Sequence, residues 1–171
     1  MVRQIVTKIG TWTFCTSLLL TCWSAQSALP PVYKNVLSKP GAVTGGQAGV
    51  GFSILNLDLV PQKNKVERII VDIGDRQGKP HLGKPGYFHV EMKSNQMISI
   101  DFAQTGLTRV DQEKLNAALK KSRLVSKGLI TFDSQDYNMN VTLTPRKPIK
   151  VKTYQVVGKN KTSKVVIDLI E

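Results

Sequence analysis

Apolar and polar residues change places at every second position through most of this chain, and no other feature constrains its fold as strongly. Leu55, Leu57 and Leu59 alternate with Asn56 and Asp58, and a period of two places the two sets on opposite faces of a strand. Pro61 and Gln62-Lys63-Asn64-Lys65 make a turn, and Val66 to Ile73 returns as a second strand. Asp75 to Gly86, rich in Gly and Pro, reads as loop. A second hairpin follows, with strands Tyr87 to Met92 and Met97 to Phe102 around the polar turn Lys93-Ser94-Asn95-Gln96. The β pattern resumes in Gly128 to Phe132, Met139 to Thr144, Ile149 to Val157 and Lys164 to Ile170. Only between Gln112 and Lys121 does the period become helical, with Leu115, Ala118 and Leu119 on one face. The spacing Thr108-Arg109-Val110-Asp111 ahead of it predicts a capping box.

The strands also repeat. Tyr87–Asp101 matches Tyr154–Asp168 without a gap at an offset of 67 residues: Tyr87 falls on Tyr154, Val90 on Val157, Ile98 on Val165, Ile100 on Ile167 and Asp101 on Asp168. Arg68-Ile69-Ile70-Val71-Asp72-Ile73 and Lys164-Val165-Val166-Ile167-Asp168-Leu169 share a form as well. A duplicated strand set predicts a mainly β protein: a β-sandwich of two similar sheets with one short inserted helix. The Ile and Val positions should bury and the Asp positions should face out.

Residues 1–28 stand apart. They hold both cysteines, both tryptophans and no acid. Arg3 and Lys8, the mostly apolar run Ile9 to Trp23, and the small residues Ser24 to Ala28 form the pattern of a cleaved export signal. The apolar run is short of the roughly 20 residues a membrane span needs. Leu19-Leu20-Thr21-Cys22 faintly resembles a bacterial lipoprotein box, but Thr21 stands where Gly, Ala or Ser is wanted, so plain cleavage is the preferred reading. Residues 29–50, with Pro30, Pro31, Pro40 and four glycines, read as a flexible linker, and residues 51–171 as the folded domain.

After residue 28 there is no cysteine, so burial alone must hold the domain together, as in many bacterial envelope proteins. The chain carries a net charge of +12. An exported basic domain meets anionic wall polymers, acidic lipids or an acidic partner, and export argues against nucleic acid. Arg146, Lys147, Lys150 and Lys152 lie on one loop and strand, with Lys150 and Lys152 on the same face. Lys159, Lys161 and Lys164 line the next turn, and Lys114, Lys120, Lys121 and Arg123 cluster on and after the helix. The alternative is that these cations keep a β-rich chain soluble and blunt its edges. Tyr87 and Tyr154, at matching repeat positions, suit stacking on sugar rings, or are ordinary sheet-edge aromatics. His81, His89 and Glu91 are the best enzyme-like group, but no metalloprotease-type framework accompanies them. The expectation is a non-catalytic protein with no metal and no cofactor.

A half-unit of Arg-apolar-apolar-apolar-acid-apolar, a Gly/Pro turn, a strand, a polar turn and a return strand ending apolar-Asp-apolar resembles the AMIN domain. Arg68–Ile73, Tyr87–Met92 and Met97–Phe102 form one such unit. Asn140–Thr144, Pro145-Arg146-Lys147-Pro148, Ile149–Val157 and Lys164–Leu169 form the other. Met97 and Lys164 depart from the arginine usual before the return strand, and the helix is an insertion. The resemblance implies a periplasmic or envelope-localised module that binds peptidoglycan or another anionic wall component. It also implies an alternative, an interaction subunit of pilus, secretion or amidase machinery, with no stable membrane span once the signal is removed.

Overall fold

A computed structural model describes residues 36–49, 51–157 and 162–171. The export-signal reading of 1–28, and Lys159 and Lys161, lie outside the described residues. In chain order the strands are β1 (Val36–Leu37), β2 (Gly41–Gly45), β3 (Phe52–Pro61), β4 (Val66–Gly74), β5 (Phe88–Met92), β6 (Ile98–Phe102) and β7 (Thr105–Thr108). Helix α1 (Gln112–Leu119) follows, then β8 (Val125–Asp133), β9 (Asn138–Pro145), β10 (Lys150–Val156) and β11 (Ser163–Ile170). One sheet runs β1-β10-β11-β4-β3-β7 and the other β2-β5-β6-β9-β8. Their facing sides share a core in which Ile54, Val71, Val151 and Ile167 meet Val90, Ile98, Ile100 and Leu143, all at 0% exposure. The expected β-sandwich of two sheets with one short helix is the architecture found. Among the described residues no helix is long and apolar enough to cross a membrane.

The strand order carries the repeat. Exchanging β3 to β6 for β8 to β11 converts the order β10-β11-β4-β3 of one sheet into β5-β6-β9-β8 of the other. Each sheet therefore takes one hairpin from each half. The return strands match as the sequence predicts: Ile100 lies opposite Val141, and Ile167 opposite Ile69. The outgoing strands do not. Ile100 faces Val90 across its hairpin, whereas Ile167 faces Thr153 and not Val157. The β10–β11 hairpin is four residues longer than β5–β6, as the pairs Gln155–Val165 and Met92–Ile98 show. Tyr87 and Tyr154 are therefore not structural equivalents, and an alignment without gaps could not reveal this.

The expectation that the aspartates face solvent needs a second correction. Asp168 points to the outer side of its sheet but is only 6% exposed. Arg68 sits directly opposite it on β4 and donates through Nε and Nη2 to the two carboxylate oxygens at 2.6 and 3.0 Å. A fork of this kind is the geometry in which an ion pair contributes most. The matching Asp101 is half-buried and accepts from Asn140 Nδ2 at 2.5 Å.

Residues 36–49 are not a flexible linker. They form β1 and β2, which pair with β10 and β5 on the corresponding edges of the two sheets, and Val43 is buried. The glycines here serve close approach. A Cβ on Gly45 would come within 2.4 Å of the Phe88 ring, and one on Gly46, whose φ is +81°, within 2.0 Å of Gly86 O. Composition alone does not separate a glycine that loosens a chain from one that lets two segments touch.

Helix α1 starts later than the capping box predicts. Thr108 remains in β7, which pairs parallel with β3, and Asp111 becomes the cap, its carboxylate accepting from Lys114 N at 2.9 Å. Leu115 and Leu119 bury their side chains over Gly128 of β8, where a Cβ would come within 2.8 and 2.6 Å of them. Gln112 donates to Gly128 O and accepts from Ile130 N, both at 2.9 Å. Its carboxamide thus stands in for a neighbouring strand on the outer edge of β8, which blunts that edge against pairing with another chain.

Candidate functional site: a cleft between two sheet edges

β2 pairs with the whole of β5, from Gly41–Met92 to Gly45–Phe88, and among the described residues β1 pairs Val36 with Lys152 and Leu37 with Val151 of β10. Beyond Lys152, a cleft of about 460 Å³ opens between the end of β2 and the far end of β10. Phe88, Tyr87 and Lys84 line it from the β5 side, Val43 to Gly45 of β2 and the following Gly46 from another, and Thr153, Tyr154 and Gln155 from β10. Gln155 Oε1 accepts from Gly46 N at 3.1 Å and ties the two strands together.

Tyr154 is the electrostatic centre of this region. Arg68 Cζ and Lys152 Nζ each lie 5.8 Å from its ring centroid, within cation–π range. Burial, then the nearby Asp168 carboxylate, pushes the Tyr154 phenol above its ordinary pKa, with Arg68 acting in the opposite sense. The Asp168 hydrogen bond raises the Arg68 pKa, so this cation is permanent.

Thr153 contributes the site's one polar anomaly. The residue is 1% exposed, and its Oγ1 is the only buried side-chain nitrogen or oxygen without a hydrogen-bond partner among the described residues. A buried hydroxyl left unpaired costs about 1–3 kcal/mol. On the symmetry-related strand the equivalent position, opposite Ile100, is the apolar Val90. A β-branched hydrocarbon therefore fits this place in the sandwich, and the hydroxyl at Thr153 is not required by the fold.

The structure sorts the residues singled out by sequence. Tyr87 and Tyr154 do line one cleft, because the edges of two sheets meet there and not because of the repeat. Lys150 and Lys152 are exposed and share an outer face with Tyr154, two residues apart along β10. Arg146 is exposed, with no acidic partner among the described residues. Lys147 pairs with Glu171 at 2.5 Å, which lowers the Glu171 pKa, so Lys147 is not free for a ligand as expected. Lys164 is likewise bound to Asp72. Lys84, Thr44, Gln155 and Thr153 were missed: they come from three separate segments, and two of those read as loop or linker. His81 lies in the loop before β5 with Nε2 2.8 Å from Lys84 O, while His89 and Glu91 pair with Thr44 and Ala42 along the sheet. Among the described residues no group of three His, Cys, Asp or Glu is placed to hold a metal.

In comparisons with known proteins, no family model matches the chain and no curated protein matches its sequence.

Proposed function

We propose that the chain is an exported, non-catalytic module of AMIN-like type that binds peptidoglycan or another anionic wall polymer and holds itself at the cell envelope. One observation carries the reading: Lys152 stands over Tyr154, and Tyr154 and Tyr87 line a single cleft with Lys84 at its side. Cations beside partly exposed aromatic rings suit a polymer that is both acidic and rich in sugar rings. The net charge of +12 adds long-range attraction to such a surface.

The test is sedimentation with purified sacculi. Each exposed lysine contributes under about 1 kcal/mol and is screened by salt, so reversing Lys150 and Lys152 to Glu should weaken binding about tenfold or more without unfolding the domain. Reversal of Lys120 and Lys121, just after α1, is the control and should have little effect. Loss of binding only in the helix variant would place the binding face on the wrong element. Failure to bind sacculi, with salt-sensitive capture of an acidic envelope protein, would favour an interaction subunit of a pilus, secretion or amidase assembly.

A further inference from the structure

One end of the sandwich presents charge of a single sign. There β3 turns into β4, α1 joins β8 and β9 turns into β10, and every residue of these three junctions is described. The junctions are tied to one another. Arg146 N donates to Leu124 O at 2.8 Å and Glu171 N to Lys65 O at 3.3 Å, and the Glu171 carboxylate pairs with both Lys65 and Lys147. Lys121 shares a small pocket with Pro61 and Glu67. Lys63, Lys120, Lys121, Arg123 and Arg146 therefore stand on one surface, and all are exposed.

The acids of this end leave them uncompensated. Glu67 is buried and accepts from Ser122 Oγ and Arg123 N. Glu171 is shared by two lysines, and Asp58, at the rim of the pocket, accepts from Asn56 Nδ2 at 2.8 Å. Lys63, Lys120, Lys121 and Arg146 have no acidic partner among the described residues. The negative end of the α1 dipole favours Lys120 and Lys121, but Lys63 and Arg146 belong to strand turns and cap no helix. Crowding like charges works against the compact fold, so the fold itself does not call for them. The opposite end is mixed: Asp75 accompanies Arg76 and Lys79, and the β8–β9 turn holds Asp133 and Asp136 with no cation.

None of the exposed large apolar side chains lies in the basic junctions. They offer no aromatic or aliphatic anchor for a protein interface and no ring on which a sugar could stack. The pocket beside Lys121 has a volume of about 250 Å³, below the roughly 300–1,000 Å³ of small-ligand sites. Cations spread over separate turn tips suit a surface of many laterally mobile anions, where each finds a partner without a fitted site. We infer that this basic end docks on an anionic phospholipid surface, at a place distinct from the Lys152–Tyr154 face assigned to the wall polymer.

The experiment sediments the full exported chain with vesicles of phosphatidylcholine, with or without phosphatidylglycerol, at low and high salt. Wild type should bind only the vesicles with phosphatidylglycerol, and high salt should release it. Each basic residue near such a surface strengthens binding about fivefold. Lys120→Glu/Lys121→Glu and Lys63→Glu/Arg146→Glu should therefore each weaken it about twentyfold or more, with the Tm little changed. Arg76→Glu/Lys79→Glu makes the same change in net charge at the opposite end and should weaken it far less. Equal losses in all three variants would overturn the inference, because net charge and not this surface would then decide binding. So would full vesicle binding by Lys63→Glu/Arg146→Glu, or stoichiometric binding of poly-glutamate by a chain that ignores the vesicles, which would mark the end as a site for an acidic protein. Sacculus binding by the same variants separates the two readings. Lys120→Glu/Lys121→Glu should lose the vesicles and keep the sacculi. Vesicle binding without sacculus binding would leave this inference standing and remove the wall reading, and the reverse result would remove this inference alone.

Discussion

Glu67 should prove one of the most expensive side chains in the molecule to remove. It lies on β4 at 1% exposure, where the matching strand of the other sheet carries Met139, opposite Phe102 as Glu67 is opposite Leu169. Its Oε2 accepts from Ser122 Oγ at 2.6 Å and its Oε1 from Arg123 N at 2.7 Å. Ser122 Oγ in turn accepts from Leu124 N and Val125 N at 3.2 and 2.8 Å, so one carboxylate anchors the junction between α1 and β8. The Arg123 side chain is 64% exposed and 3.7 Å away, and its charge adds little. Glu67→Ala strands two donors at about 1–3 kcal/mol each and leaves a cavity, partly offset by the relief of no longer burying a charge. The expected cost is about 3–5 kcal/mol. Glu67→Met restores the volume and copies the other half, but still strands both donors, for about 2–4 kcal/mol. Urea unfolding of Glu67→Ala, Ser122→Ala and the double variant completes a double-mutant cycle, with coupling above about 1 kcal/mol expected for Glu67 and Ser122. Amide exchange at Arg123 to Val125 should accelerate in Glu67→Ala. A cost below about 1 kcal/mol, or additivity with Ser122→Ala, would refute the anchoring role.

Ile100→Ala and Ile167→Ala should each cost about 2–5 kcal/mol by chemical denaturation, because both are fully buried at matching places in the two sheets; small effects at both would mean that the strand register is wrong. Asp168→Ala should cost more than Asp101→Ala, since it leaves the half-buried Arg68 without its fork partner, and equal costs would contradict the difference in burial. Tyr154 should ionise above the ordinary 10.0. A raised folded pKa makes this stabilisation fully present below the unfolded value and lost as pH rises through the folded one. An ultraviolet phenolate titration of wild type against Tyr154→Phe reads it, and a step at or below 10.0 would show that burial and Asp168 do not act as described.

Much of the fold is local and so was legible. The alternation in Val66–Ile73 and Met97–Phe102 needs no distant partner to be recognised, and the polar turns at 62–65 and 93–96 join the strands they separate in sequence. Two local readings failed where tertiary context changed what a residue does. Leu55 stands at a bulge in β3, so Ile54 and Leu57 bury in place of an unbroken Leu55-Leu57-Leu59 series. Thr108 is held in β7 and cannot cap the helix.

The sequence by itself determined the longer strands, the single helix, the basic surplus and the duplication, because periodicity and charge are properties of neighbouring residues. Only the tertiary structure decided that Gly41–Gly45 is a strand, that Asp168 is buried under Arg68, and that the second hairpin is longer than the first. The cleft belongs wholly to this second group. Thr44, Lys84 and Thr153 are distant in sequence, and they meet where the end of β2 approaches the far end of β10. Whether a threonine hydroxyl is satisfied depends on which atoms of other segments come within hydrogen-bond reach, and no pattern along the chain encodes that distance.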